Sequence, residues 1–324
     1  MRPIALAAGL AALAVSLVVG IAVGSVPLGI GDVWDGLLRS DAAASTIVRQ
    51  LRVPRVLLAF LVGGGLGLSG AALQALVRNP LADPYLLGLS GGAGLGAVLA
   101  IAARTGGAWV VPASAFAGAL AAVALVYRLS LVGGRRLDPR VLLLAGVVVG
   151  AFASAVMSAV IVLSDAPQLR NAFLWLLGGF TTASWQSLQV FTAYAVIPLG
   201  MLLLSARSLD LLALGEETAL HLGADVERVR RRIYLAASLL TAASVATCGI
   251  IGFVGLVVPH AVRRIWSPLH RLLLPGAFLA GGAFLVLADA LARSVLRPIE
   301  LPVGVVTALV GVPLFALLLR RSLA

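Results

Sequence analysis

Among the long apolar runs of this chain lies one acid, Asp289, in the stretch LVLADALAR. An ionisable group at that depth is costly, so it marks a proton or ion relay, or else a buried pair. Arg293, one turn on, offers the pairing, and a hydrogen-bonded structural aspartate is the simpler reading. An ion-driven carrier calls for more intramembrane carboxylates than this one. His221, His260 and His270 lack ligand spacing such as HExxH, and no GxSxG or paired acids suggest hydrolysis. The single cysteine, Cys248, excludes an internal disulfide and a cysteine-based metal cluster. No metal site is expected. The chain also lacks GxxxxGK[ST], so it has no P-loop for ATP. If transport is energised, the energy comes from another polypeptide.

The one long charged interval is Ser208–Arg232, SLDLLALGEETALHLGADVERVRRR. Its spacing predicts two short helices. One runs from about Gly215 to Leu222, with Glu216 and Glu217 in its positive first turn and Gly223 placed to end it. The second starts at Asp225, a good N-cap, and finishes on an arginine cluster. Leucines within the segment supply apolar surface for docking. A solvated connector is the plainer alternative.

These groups sit in a chain of 324 residues that is 61% hydrophobic and 11% charged. A soluble domain carries about 25% charged residues, so this is an integral membrane protein. All 24 basic residues are arginine, and the net charge is +11. Because the arginines punctuate apolar runs, membrane topology explains them better than nucleic acid does. The first apolar run, Ile4–Val23, is long enough to span a bilayer and is expected to remain as an uncleaved helix. After a polar interval, Pro27–Arg55, further runs fall at Val56–Val77, Leu86–Ala103, Trp109–Leu131 and Val141–Leu163. Phe173–Phe180 is too short to cross. The remaining runs are Leu188–Leu204, Ile233–Ile251, Phe253–Ile265, Leu272–Leu291 and Val303–Leu319, giving an all-α polytopic fold of about ten transmembrane helices in a single domain, 1–324. With the N-terminus inside, sixteen arginines fall on the inner face, among them Arg2 and Arg135, and eight on the outer. Both termini and the Ser208–Arg232 insert are then cytoplasmic.

Two places break the helical pattern. LVRNPLADPYLLGLSGGAGLG carries Pro80, Pro84, Gly88 and Gly92 before one short run; IIGFVGLVVPHAVRR carries Gly255 and Pro259 in the other. The two breaks fall at matching places in two five-helix halves. Five is odd, so the halves would be inverted, and such interrupted segments usually border a transport pathway. Stripes of small residues at four-residue spacing (Gly63, Gly67, Ala71 and Gly88, Gly92, Gly96, Ala100) suit close helix packing. On the outer face, Arg52 and Arg55 open the second span, and Arg293 and Arg297 close the ninth. They suit carboxylate docking, or else headgroup contact and topology marking.

The stretch RVPRVLLAFLVGGGLGLSGAALQALVRNPLADPYLLGLSGGAGLGA (Arg52–Ala97) resembles the FecCD-type permeases. These are subunits of ABC importers for ferric siderophores, haem and cobalamin. The LGEETA segment, GFVGLVVPHAVRR, HRLLLPGAFLAGGAFLVLADALAR and IELPVGVVTALVGVPLF are similar to the same family. The resemblance implies a multi-pass permease of the bacterial cytoplasmic (inner) membrane, without an ATPase site of its own. It would pair with a second permease, the same chain or a paralogue. Two cytoplasmic ATPase subunits, which hold the ATP and Mg, would dock on the coupling segment through Glu216, Glu217, Leu220, Leu222, Gly223, Ala224 and Arg228. A periplasmic or lipid-anchored binding protein would dock on Arg52, Arg55 and Arg293. The implied mechanism is alternating access; an ion-coupled secondary transporter is the competing reading.

Overall fold

The computed structural model describes residues 3–26, 28–39, 44–104, 107–132 and 136–323. Arg2, Asp41, Arg135 and Pro27, at the start of the polar interval, lie outside the described residues. Helices α1 (Pro3–Ala22), α3 (Val53–Leu76), α4 (Leu89–Ala102), α5 (Val110–Leu129) and α6 (Pro139–Val162) occupy the first five apolar runs. The second five hold α8 (Trp185–Leu204), α11 (Val226–Cys248), α12 (Val254–Ile265), α13 (His270–Ala292) and α14 (Val303–Leu323). Four further helices lie between them: α2 (Ile30–Leu38), α7 (Ala166–Leu176), α9 (Ala206–Ala213) and α10 (Glu216–His221). Among the described residues the only strands are a two-residue antiparallel pair, Leu131–Val132 with Arg136–Leu137, in the α5–α6 turn. The fold is all-helical.

Among the described residues, five helical stretches are long and apolar enough to cross a membrane by themselves: Ile47–Leu76, Val110–Leu129, Pro139–Val162, Trp185–Leu204 and His270–Ala292. Ala11–Ala22, Leu89–Ala102 and Val303–Leu317 are apolar but shorter. α4, with 14 residues, and α12, with 12, extend only about 21 and 18 Å at 1.5 Å per residue. Neither reaches across a core of about 30 Å.

Local chemistry sets the helix ends. Asp138 caps α6 by accepting from the amides of Arg140 (2.7 Å) and Val141 (3.3 Å), with Pro139 at the first helical position. Ser184 and Ser187 form a reciprocal cap on α8. Three expectations change. The interval 27–55 contains α2 and a π-helical stretch, Ile47–Arg52, that runs straight into α3. The short run Phe173–Phe180 does not form a helix of its own: α7 starts earlier, after Asp165, and ends at Leu176. The second short helix of the charged interval is the beginning of α11. Asp225 caps it as expected, accepting from the Arg228 amide at 3.0 Å, but no glycine or proline interrupts the chain before Gly249, so the helix continues to Cys248.

α3 and α13 form the most extensive helix pair, and α4 and α5 the next. The glycine stripes explain why. A Cβ on Gly63 or Gly67 would overlap the backbone of Gly281 or Ala277 in α13, and one on Gly92 or Gly96 would overlap Gly118 or Ser114 in α5. Backbones approach this closely only without side chains between them. α3 is buried almost throughout, whereas α6 and α8 turn Leu144, Val148, Phe152, Tyr194 and Ile197 outward.

Candidate functional site

The cross-element contacts form three groups: the first and the last pair helix ends that the arginine pattern assigns to one side, and the middle one joins the inner start of α4 to the outer start of α12. At the outer level the C-terminal end of α1 is held by two buried arginines. Arg52 donates to the carbonyls of Ile21 (2.6 Å), Ala22 (2.8 Å) and Val26. Arg293 donates to Gly20 and Val23, each at 2.9 Å. These carbonyls have no intrahelical donor, and cations suit a helix C-terminus. Asp289 lies beneath, 1% exposed, accepting from Arg293 Nε at 2.9 Å and from Arg55 Nη2 at 2.9 Å and Nε at 3.1 Å. Arg55 also reaches Glu300 at 2.9 Å. The pairing of Asp289 with Arg293 is as expected. Arg55 and Glu300 join it across the fold, 234 and 245 residues from their partner positions, with no local sequence signal.

This arrangement corrects the picture of three outward-facing arginines. Arg52 and Arg293 are 5% and 4% exposed, because their guanidinium groups are drawn in to cap α1. Arg55, at 13%, keeps an open side onto a cavity of about 340 Å³ lined by Thr181, Thr182, Thr247 and Glu300.

At the central level the two broken segments meet. Asp83 caps a 3-10 turn, Pro84–Leu87, and Gly88 follows at φ 74 as the N-cap of α4. In the other half Phe253, at φ 69, is the N-cap of α12. Both short helices thus begin on a left-handed residue, which is natural for Gly88 and uncommon for a phenylalanine. Tyr85 Oη donates to the Ile251 carbonyl at 3.0 Å and accepts from the Ile251 amide at 3.2 Å, so one side chain satisfies both backbone groups of the other break. Gly255 packs on Pro84 and against Gly70 of α3, where a Cβ would overlap. Pro84, Gly88, Gly92, Gly255 and Pro259 are all buried, while Pro80 stays on the exposed rim. The structure brings Pro84 and Gly255 together; Tyr85 and Ile251 were not foreseen.

At the inner level α9, α10 and the first turns of α11 form a compact unit. Arg230, 8% exposed, pairs with Glu216 at 2.8 Å. Glu227 accepts from the Leu137 amide at 3.1 Å, tying the unit to the α5–α6 turn. Asp210 accepts from the backbone amide of His270 at 2.8 Å and faces its Nδ1 at 2.7 Å, joining α9 to the start of α13. The α10 C-terminus closes as predicted: Gly223 takes φ 79, and the Ala224 amide donates to Ala219 at 2.9 Å. The unit is ordered, yet Leu214, Leu220 and Leu222 are 64%, 55% and 59% exposed. Glu217 and Arg228 are exposed beside them, with Arg228 paired to Asp225 at 3.1 Å. Among the described residues no group of His, Cys, Asp and Glu could hold a metal ion.

Comparison with known proteins follows this geometry. The sequence matches the FecCD transport family over residues 12–321. It is 40% identical to the ABC transporter permease protein YvrB of Bacillus subtilis, covering 97% of this chain and 92% of that protein. It is 44% identical to the cobalamin import system permease protein BtuC of Halobacterium salinarum, over 86% of this chain and 74% of the other. A solved structure described as an inward-facing conformation of a metal-chelate type ABC transporter superposes with a TM-score of 0.89 at 31% identity. That superposition covers 99% of this chain and all of that one. The chain belongs to the FecCD transport family.

Proposed function

We propose that this chain is the transmembrane permease subunit of an ATP-driven importer, moving a ferric siderophore, or haem or cobalamin, into the cytoplasm. The observation that carries the reading is the inner unit. An ordered, charged segment that exposes Leu214, Leu220 and Leu222 is a surface shaped for a water-soluble partner. The names of the relatives supply the class of that partner, an ABC ATPase, because this chain has no P-loop of its own. Glu217, Leu220, Leu222, Gly223, Ala224 and Arg228 form the contact, while Glu216, held by Arg230, keeps α10 in place.

Ten segments cross the membrane in two inverted halves of five, α4 and α12 only together with the broken stretches that precede them, with both termini in the cytoplasm, and a second permease completes the pathway. A binding protein docks outside, around Arg55 and the exposed Arg297, over the frame set by Arg52 and Arg293. ATP binding in the partner moves the coupling unit, and Asp210–His270 and Glu227–Leu137 pass that movement to α13 and the α5–α6 turn. The pathway opens alternately to either side. An ion-coupled carrier would need a free carboxylate in the membrane, and Asp289 is held between two arginines.

The test is ATP-dependent uptake in proteoliposomes with the cognate ATPase and binding protein. Glu217→Arg combined with Arg228→Glu changes only exposed side chains. It is expected to abolish coupled uptake while the permease elutes and melts as wild type. Normal uptake by that variant would remove the coupling assignment.

A further inference from the structure

The ends of α3 and α12, the start of α13 and the last turn of α9 border a second, open cavity of about 390 Å³ on the inner side, with Arg78 exposed at its rim. Its polar lining is Gln74, Arg78, Asn79, Arg263 and His270. Two cations therefore face one space, and neither appears in an ion pair among the described residues. Arg263 is partly buried and has one protein acceptor, Gln74 Oε1 at 3.1 Å. Gln74 is itself fixed by donating to the Gly255 and Leu256 carbonyls, at 3.3 Å each. Among the described residues, four of the five guanidinium donors of Arg263 are thus left without a protein acceptor. The side-chain oxygen of Asn79 accepts from the Leu81 amide at 2.9 Å, leaving its amide nitrogen to donate.

His270 adds an independent sign of a missing ligand. The residue is 5% exposed, and its Nε2 is buried with no hydrogen-bond partner. Nδ1 is committed to Asp210, the acid that faces it from α9. A neutral ring then presents a bare acceptor at Nε2 and a charged ring a donor. Buried polar atoms in folded proteins are paired, so an orphan beside unmatched cations points to a group the site is built to hold.

We propose that this cavity binds a phosphate-type oxyanion, with Arg263 and Arg78 supplying the charge and Asn79 and the His270 ring completing the polar lining. Planar guanidinium groups suit such oxygens. Basic pockets between helices on the cytoplasmic side also take the head groups of anionic lipids. The shared chemistry is the phosphate group, and its source is a soluble phosphate or a headgroup. The site does not depend on which cargo crosses.

The experiment uses the full-length permease, delipidated in neutral detergent. Inorganic phosphate is titrated by calorimetry, and binding of phosphatidylglycerol against phosphatidylcholine is measured by native mass spectrometry. Arg263→Gln and Arg78→Gln should each weaken the ligand that binds by about 10- to 100-fold, the range for one charge-assisted hydrogen bond. Arg264→Gln, on an exposed arginine outside the cavity lining, should leave it unchanged. Binding of phosphate in this pattern identifies a soluble anion, and binding of phosphatidylglycerol alone identifies a headgroup. Absence of binding by either probe, or equal loss in Arg264→Gln, overturns the proposal. Melting curves for each variant separate lost binding from lost folding, and a variant that does not fold is replaced by its lysine form, which retains the charge but not the fork.

Discussion

Neutralising Asp289 is the perturbation whose cost follows most directly from the geometry. Asn at this position keeps the size and one acceptor but removes the charge that faces Arg55 and Arg293 at 2.9 Å. At 4 Å and an effective dielectric near 20, one such pair is worth about 4 kcal/mol before desolvation. Measured losses for stripping one partner from a buried pair run about 3–5 kcal/mol, because the other charge is left uncompensated. Asp289→Asn should therefore lower unfolding stability in detergent by about 3–5 kcal/mol. Arg55 retains Glu300, and Arg293 retains the Gly20 and Val23 carbonyls, so the lower part of that range is expected. Asp289→Leu combined with Arg55→Met removes a charge of each sign and should cost less than the two single changes added together. The assay is denaturant unfolding followed by tryptophan fluorescence, with uptake measured on the folded fraction. A loss below about 0.5 kcal/mol would mean that the arginines do not depend on this carboxylate. Wild-type stability with uptake abolished would instead return Asp289 to the role of an ion relay.

The central contact gives a second test: Tyr85→Phe leaves both backbone groups of Ile251 without their partner, and a loss of about 1–3 kcal/mol is expected in the same unfolding assay. Unchanged stability would show that the two breaks do not lean on each other. Gly70→Ala drives a Cβ into the Gly255 carbonyl and should cost about 1–3 kcal/mol, although alanine is the better helix former. Gly252→Ala, where a Cβ meets nothing within 4 Å, serves as its control, and equal effects of the two would refute the packing argument.

The sequence disclosed what repeats or punctuates. Apolar runs located all ten long or interrupted helices, Gly223 marked the end of α10, and Asp225 marked the start of α11. Small residues four apart marked the faces on which α3 meets α13 and α4 meets α5. Hidden were the pairings that need three dimensions. Arg52 reads as an exposed charge at a span mouth, and only the position of the α1 carbonyls turns it inward. Tyr85 carries no local mark of its partner 166 residues away. The merger of the second short helix into α11 was legible in principle, since 226–248 contains neither glycine nor proline; the arginine cluster suggested an end where it is only an early part of a longer helix.

The two ends of the molecule differ in how fully their charges are matched. At the outer end, Arg52, Arg55 and Arg293 find carbonyls or carboxylates, and α1, α3 and α13 are bound into one frame. At the inner end, Arg78 and Arg263 have no carboxylate partner among the described residues, His270 keeps an orphan nitrogen, and three leucines stand in the open. A saturated end resists change, because moving any helix breaks several buried contacts at once. An unsaturated end gains contacts only when another molecule arrives, so binding free energy can be exerted there. Between the two, Tyr85 and the Pro84–Gly255 contact join the starts of the short helices. The junction is held by one tyrosine and one packing contact, whereas the node around Asp289 is held by several buried ion pairs, so separating helices costs less at the junction than at the outer frame.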